Sequence, residues 1–315
     1  MPNIITHGLF AQTVKKEIKD SQIKQCILKY PHEFMIGSNG PDFLFFYHFF
    51  DKKGKLIRDY GSKLHSSHVN DFYIIACEAI NQQEDEVLKE AMISYVAGHL
   101  CHWALDSRAH PYIFYRTGDC IGKSAYMHHR FESMMDAMML KKMLNKTVRD
   151  YDYDQLASRS SLSIKAISAI YVPAINQIFQ ADINEKIIGQ ALKDWQKLNA
   201  LLHDPMEVKV KFVEMYEKKV NIPWLYKGNI VPVTIDETYD ILNREHKMWC
   251  YPTDNTRTSN ESFMDIFKRA KELALECIDV MHDHEKLCAL LNDETYDSGT
   301  QSGQEMIYFD LIYGE

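Results

Sequence analysis

The chain has 315 residues, 46% hydrophobic and 25% charged, with a formal net charge of −8. That length can bury a sizeable core in one large domain or two ordinary ones, and the composition is that of a globular protein. The acidic balance disfavours a nucleic-acid partner held by basic surface alone, and seven cysteines, odd in number and scattered without a CxxC pair or regular spacing, read as reduced thiols.

Residues 1–7 lack the basic start and the apolar run of roughly 7–15 residues that a secretory leader needs. No run of about 18 apolar residues suggests a membrane span. A cytoplasmic location with reduced thiols is therefore expected.

Helical periodicity begins at 6–18, where Lys15 to Lys24 are interleaved with Glu17 and Asp20 as a solvated face. The turn signal at 37–41 leads into Asp42 and an aromatic run of Phe43, Phe45, Phe46, Tyr47, Phe49 and Phe50, read mostly as core. His65 stands just before a helix over 66–80. A long buried helix is expected over 84–106, with Val87, Ala91, Tyr95, Val96 and Leu100 at its apolar positions. His110 precedes Pro111 and is biased out of the helical region, at the head of a proline and glycine stretch over 111–122. A methionine-rich helix follows over 124–144, read as packing surface rather than a lipid face.

Further helical patterns cover 154–179, 183–202, 205–220 and 263–291. The strand-like run 230–235 contains Pro232, which argues for an edge strand or an extended loop. The polar stretch 292–303 reads as a flexible connection to a short segment over 305–313. The expected architecture is an all-α bundle, with residues 1–291 as one helical domain and 292–315 as a connection and terminal segment.

His102 and Asp106 sit one turn apart on a single helix face, as do His128 and Glu132 on the next helix. Imidazole nitrogen and carboxylate oxygen suit zinc at roughly 2.0–2.2 Å, and a set with few cysteines nearby suits a catalytic site. One such pair alone is ordinarily a surface ion pair. Ten of the 14 histidines fall between His7 and His129, so the enrichment lies in the half that carries both pairs.

With His7, Asp42 and His65 added, the order resembles the zinc-dependent phospholipase C family, whose relatives include the fungal single-strand nucleases. The resemblance rests on Thr6-His7-Gly8-Leu9-Phe10, Gly40-Pro41-Asp42-Phe43-Leu44-Phe45, Leu64-His65, Gly98-His99-Leu100-Cys101-His102-Trp103-Ala104-Leu105-Asp106, His110-Pro111-Tyr112 and His128-His129-Arg130-Phe131-Glu132. Trp249 and Ser262-Phe263 match loosely. The resemblance implies an all-α fold with two or three zinc ions in a cleft. Asp42, His65, His102 and Asp106 would hold one ion, and His110, His128 and Glu132 a second. A third would use His7, a bridging oxygen of Asp106 and the terminal amine, a part that here falls to Pro2. One departure is that only three residues separate Asp106 from His110, fewer than in the secreted phospholipases. His68 and His129 are the adjacent alternatives to His65 and His128, and His99 is read as a supporting or core imidazole.

The implied reaction is metal-assisted phosphodiester hydrolysis, with paired zincs roughly 3.5–4 Å apart and Asp42 available as general base. The expected substrate is a glycerophospholipid, cleaved to diacylglycerol and a phosphorylated head group, with transient contact to a membrane surface. The alternatives are a zinc-dependent nuclease, disfavoured by the absence of a basic groove and by Glu132, and a non-catalytic metal-stabilised binding module.

Overall fold

The computed structural model describes residues 4–313, the side chain of Asp154 apart. Its α-helices in chain order are α1 (Ile4–Glu17), α2 (Ser21–Lys29), α3 (Pro31–Gly37), α4 (Lys55–Ser66), α5 (Val69–Gln82), α6 (Glu86–Thr117), α7 (Lys123–Leu144), α8 (Ser161–Phe179), α9 (Glu185–Leu202), α10 (Val208–Val220), α11 (Phe263–Asp279) and α12 (His284–Leu291). The strands described are β1 (Trp249–Tyr251) and β2 (Asp254–Ser259), an antiparallel hairpin that pairs Trp249 with Ser259 and bulges between Cys250 and Tyr251. The chain is all-α, as its periodicity predicts.

Helix α6 is the axle of the fold. Asp85 caps its start by accepting from the Val87 and Leu88 N–H groups, which satisfies donors that the helix leaves open. From Ala91 to Leu105 nearly every side chain is buried, because α1, α2, α3, α7, α8 and α11 pack around it. A helix surrounded in this way buries residues all round rather than along one stripe. Capping boxes start α8, through Ser160 and Ser163, and α11, through Ser262 and Asp265.

Several boundaries differ from the sequence reading. Helix α6 does not stop at the proline but runs through Pro111 to Thr117, so His110 is helical. A proline removes one helical hydrogen bond, here to the Ser107 carbonyl, and a helix packed on all sides tolerates that single loss. His65 ends α4 rather than preceding a helix, and α5 starts at Val69 after His68 turns through a left-handed conformation. The pattern over 263–291 is two helices, broken after Asp279, and 230–235 is a loop, one of the two readings that Pro232 left open. Basic residues near Lys15 to Lys24 straddle two helices, with Asp20 capping the second. The aromatic run is less buried than expected: Phe43 is core, Phe45, Phe46 and Tyr47 are half-buried, and Phe50 is 83% exposed.

Helix α8 is long and apolar enough to cross a membrane by length and composition, contrary to the reading that no segment is. Its Ile167, Ile170, Tyr171, Ala174 and Ile175 are instead buried inside the protein against α5, α6 and α9.

Candidate metal centre

Because α6 continues past Asp106, His102, Asp106 and His110 form one ladder along a single helix face at successive turns. Four other elements bring partners to it. Helix α1 delivers His7, a 3-10 turn at Asp42–Phe46 delivers Asp42, the end of α4 delivers His65, and α7 delivers His128 and Glu132.

The turn before Asp42 is built to pass close to α6. Ser38 Oγ and Asn39 Nδ2 donate to the Met35 carbonyl at the end of α3, and Tyr95 donates to the Gly40 carbonyl at 3.3 Å. Gly40 has φ +49°, and a Cβ there would lie 2.1 Å from the His102 ring, so both conformation and space require glycine.

The eight side chains form three groups whose donor atoms lie within 4.8 Å of one another: His7 with His102 and Asp106, Asp42 with His65 and His102, and His110 with His128 and Glu132. His102 belongs to two groups. Its Nε2 is 3.2 Å from Asp106 Oδ2 and 3.5 Å from Asp42 Oδ1, and its Nδ1 is 3.2 Å from His7 Nδ1. His7 Nε2 lies 3.1 Å from Asp106 Oδ1, His65 Nε2 3.1 Å from Asp42 Oδ1, and His128 Nε2 3.0 Å from Glu132 Oε1. His110 Nε2 is 3.9 Å from both Asp106 and Glu132, which links the third group to the others. The Pro2 amine lies outside the described residues.

Outer hydrogen bonds set the rings. His65 Nδ1 donates to the Gly61 carbonyl at 2.8 Å, and His110 Nδ1 to the Tyr296 carbonyl at 2.8 Å. His128 Nδ1 donates to Thr117 Oγ1 at 2.9 Å, whose own hydrogen is directed to the Ile113 carbonyl. Each contact puts the proton on Nδ1 and turns the Nε2 lone pair toward the carboxylates, the arrangement that a metal-binding histidine uses.

Burial and neighbouring charge compete to set the charge states, and burial wins at His7, His102, His110, His128 and Asp106. It holds His7 down to about 3 against the pull of Asp42, and holds His102, His110 and His128 below the ordinary imidazole value. For His65 burial acts the same way, but the hydrogen bond and charge of Asp42 outweigh it and raise the value. Burial pushes Asp106 up to about 6 although His102 opposes it, whereas at Asp42 the charges and hydrogen bonds of His102 and His65 overcome burial and hold the carboxyl below its usual range. His7 Nε2, His102 Nε2, His110 Nε2 and both Asp106 oxygens lack a hydrogen bond among the described residues, although they approach one another closely. Neutral imidazoles and carboxylates with convergent, unsatisfied lone pairs are costly to bury by themselves, and their donor set fits zinc.

Neighbouring histidines sort cleanly. His99 is a core imidazole, bonded to Tyr73 at 2.7 Å and Tyr171 at 2.9 Å and stacked on Phe72. His68 pairs with Asp71 at the surface, and His129 Nδ1 stays 3.9 Å from Glu132. Trp249 donates to the Glu261 carbonyl, and Ser262 caps α11, so both loosely matching motifs hold up the scaffold.

Sequence reasoning missed the most consequential support. The stretch over 292–303, expected to be a flexible connection, packs onto α6. Trp103 Nε1 donates to the Glu294 carbonyl, Arg108 pairs with Glu294 at 2.6 Å, and Tyr296 N–H donates to the His65 carbonyl at 2.9 Å. With the Tyr296 carbonyl on His110, one residue ties two of the three groups together. Its neighbour Asp297 is half-buried, and burial raises its carboxyl although His65 is close by. A lone tyrosine in an otherwise polar run was the only trace of this packing in the sequence.

Residues 6–177 match the family model for zinc dependent phospholipase C, which is more than half of the chain, and the chain belongs to that family. The match indicates a zinc-dependent hydrolase of phospholipase C type. Neither the curated proteins nor the solved structures contain a match.

Proposed function

We propose that this protein hydrolyses the glycerol-side phosphodiester of a glycerophospholipid, releasing diacylglycerol and a phosphorylated head group. The observation that carries the reading is the convergence of eight buried donors, three of whose imidazoles have Nδ1 occupied by an outer acceptor. Asp42, His65, His102 and Asp106 would hold one zinc, His110, His128 and Glu132 another, and His7 with Asp106 would contribute to a third. When bound, zinc supplies positive charge for the phosphate oxygens and acidifies a water. Asp42 is the most exposed of the eight at 7%, which makes its carboxylate the one we assign to accept a proton from water. Phe45, 5.0 Å from the His65 ring and half-buried, offers an apolar wall beside it. The described cysteines are all free thiols, which supports a reducing compartment such as the cytoplasm.

The test is turnover by the zinc-loaded protein on phosphatidylcholine, a soluble phosphodiester and single-stranded DNA, with and without a chelator. Head-group release that the chelator abolishes is expected. Cleavage of DNA alone would replace the reading with a nuclease, and full zinc occupancy without turnover would replace it with a binding module. Asp106→Asn should lose zinc and at least ~100-fold in rate, since a direct ligand matters more than the outer partners that cost 10–100-fold.

A further inference from the structure

Helix α10 is held to the protein chiefly by polar contacts, and its largest apolar side chains face outward. Its one buried residue is an acid, Glu217, whose carboxylate accepts from the backbone N–H groups of Trp224, Tyr226 and Lys227 at 2.8–3.1 Å. At its start Asp204 accepts from the Val208 and Val210 N–H groups, and Lys209 Nζ donates to three carbonyls of Ala200, Leu201 and His203. Polar contacts thus fasten the helix at both ends. Val210, Val213 and Val220 are half-buried on the inner side, while the larger apolar side chains Phe212, Met215 and Tyr216, with Val208, point to solvent, where an ordinary surface helix would turn them to the core.

Val208, Phe212 and Met215 recur at intervals of four and three along that outer face, with Phe212 66% and Met215 59% exposed and Met206, just before the helix, 75% exposed. Lys211, Lys218 and Lys219 stand exposed around the stripe, and no ion pair holds them among the described residues. The acids nearby are engaged: Glu214 pairs with Lys227, and Glu207 with Arg149. On a chain of net charge −8 this is a local cationic face around an apolar ridge.

We infer that the outer face of α10 is a docking surface for a phospholipid bilayer that carries anionic lipid. An apolar ridge rimmed by lysines is the pattern of a helix that lies in the interface, with its ridge among the acyl chains and its lysine stems reaching up to the head groups. Charge selects this occupant over a second copy of the chain, because a two-fold contact would set Lys211, Lys218 and Lys219 against their own equivalents. The surface lies outside the part of the chain that matches the family. It deepens the phospholipid reading by naming the face that meets the substrate's membrane, and it rests on that reading only for its purpose.

The experiment is co-sedimentation of the zinc-loaded protein with vesicles of phosphatidylcholine alone and of phosphatidylcholine with phosphatidylglycerol. It compares the unaltered chain with Phe212→Glu/Met215→Glu and with Lys211→Glu/Lys218→Glu/Lys219→Glu. Binding should favour the anionic vesicles and weaken with salt. The apolar pair should lose about 10-fold or more in partitioning, and the lysine reversals should lose the anionic preference. Both variants should keep their melting temperature and their rate on a soluble phosphodiester. The inference is overturned if the unaltered chain stays in the supernatant, if both variants bind as it does, or if the substitutions dissolve a dimer and leave vesicle binding intact. Absent vesicle binding with soluble turnover intact sinks this surface alone, whereas vesicle binding without any turnover sinks the catalytic reading alone.

Discussion

Asp136, fully buried on α7, shows how one residue outside the ligand set shapes the centre. Its two carboxylate oxygens accept from the Ile5 and Thr6 N–H groups at 3.0 and 2.8 Å, which fixes the first turn of α1 and so the direction of His7. Burial pushes its carboxyl up to about 7, against those two donors. Because the folded value lies above the unfolded one, the native state keeps a proton between about pH 4 and 7 that the unfolded chain releases, so this group's contribution to stability falls as pH rises through that window. Urea unfolding at pH 5 and pH 8 should therefore show the stability advantage of the unaltered chain over Asp136→Asn shrinking by on the order of 2 kcal/mol. An advantage that grows with pH would mean that the two N–H bonds outweigh burial.

At the level of elements, the long α6 and the segment after α12 form a pair. Pro111 leaves the Ser107 carbonyl without its helical donor, and Gly299 lies directly against that carbonyl, so close that a Cβ would stand 2.1 Å from it. With φ +59°, Gly299 closes the turn that carries the Tyr296 carbonyl to His110 and the Tyr296 N–H to the His65 carbonyl. Gly299→Val should push this clasp off α6 and free the His110 ring to rotate. Zinc affinity measured by competition with a chromophoric chelator should drop about 10-fold or more, the size of effect seen when an outer partner is removed, while the helical circular dichroism stays unchanged. Unchanged affinity would reduce the clasp to a tail.

For the molecule as a whole, the centre joins α1, α4, α6 and α7 with the turn after α3, so zinc bound there is bound to the folded state alone. Chelation should lower the melting temperature by about 4 °C if zinc is present near 100 times its dissociation constant, where linkage is worth about 2.7 kcal/mol, and zinc added back should restore it. A melting temperature indifferent to chelation would detach the centre from stability. The vesicle experiment belongs to this scale too, because it asks whether the α10 face we propose for the membrane and the candidate metal centre serve one lipid substrate.

Much of the centre was legible in the sequence because helix geometry is local. Residues four apart share a face wherever the helix lies, so His102 with Asp106 and His128 with Glu132 declared themselves, and the ordered His7, Asp42 and His65 completed the set through the family resemblance. Tertiary structure alone decided the rest. A proline preference is a local bias, and packing around α6 overrode it at His110. The bonds of the Tyr296 backbone, its carbonyl accepting from the His110 ring and its N–H donating to the His65 carbonyl, join residues about 190 to 230 positions apart and have no periodic signature, and which side of α10 turns outward depends on the neighbours that hold its other side.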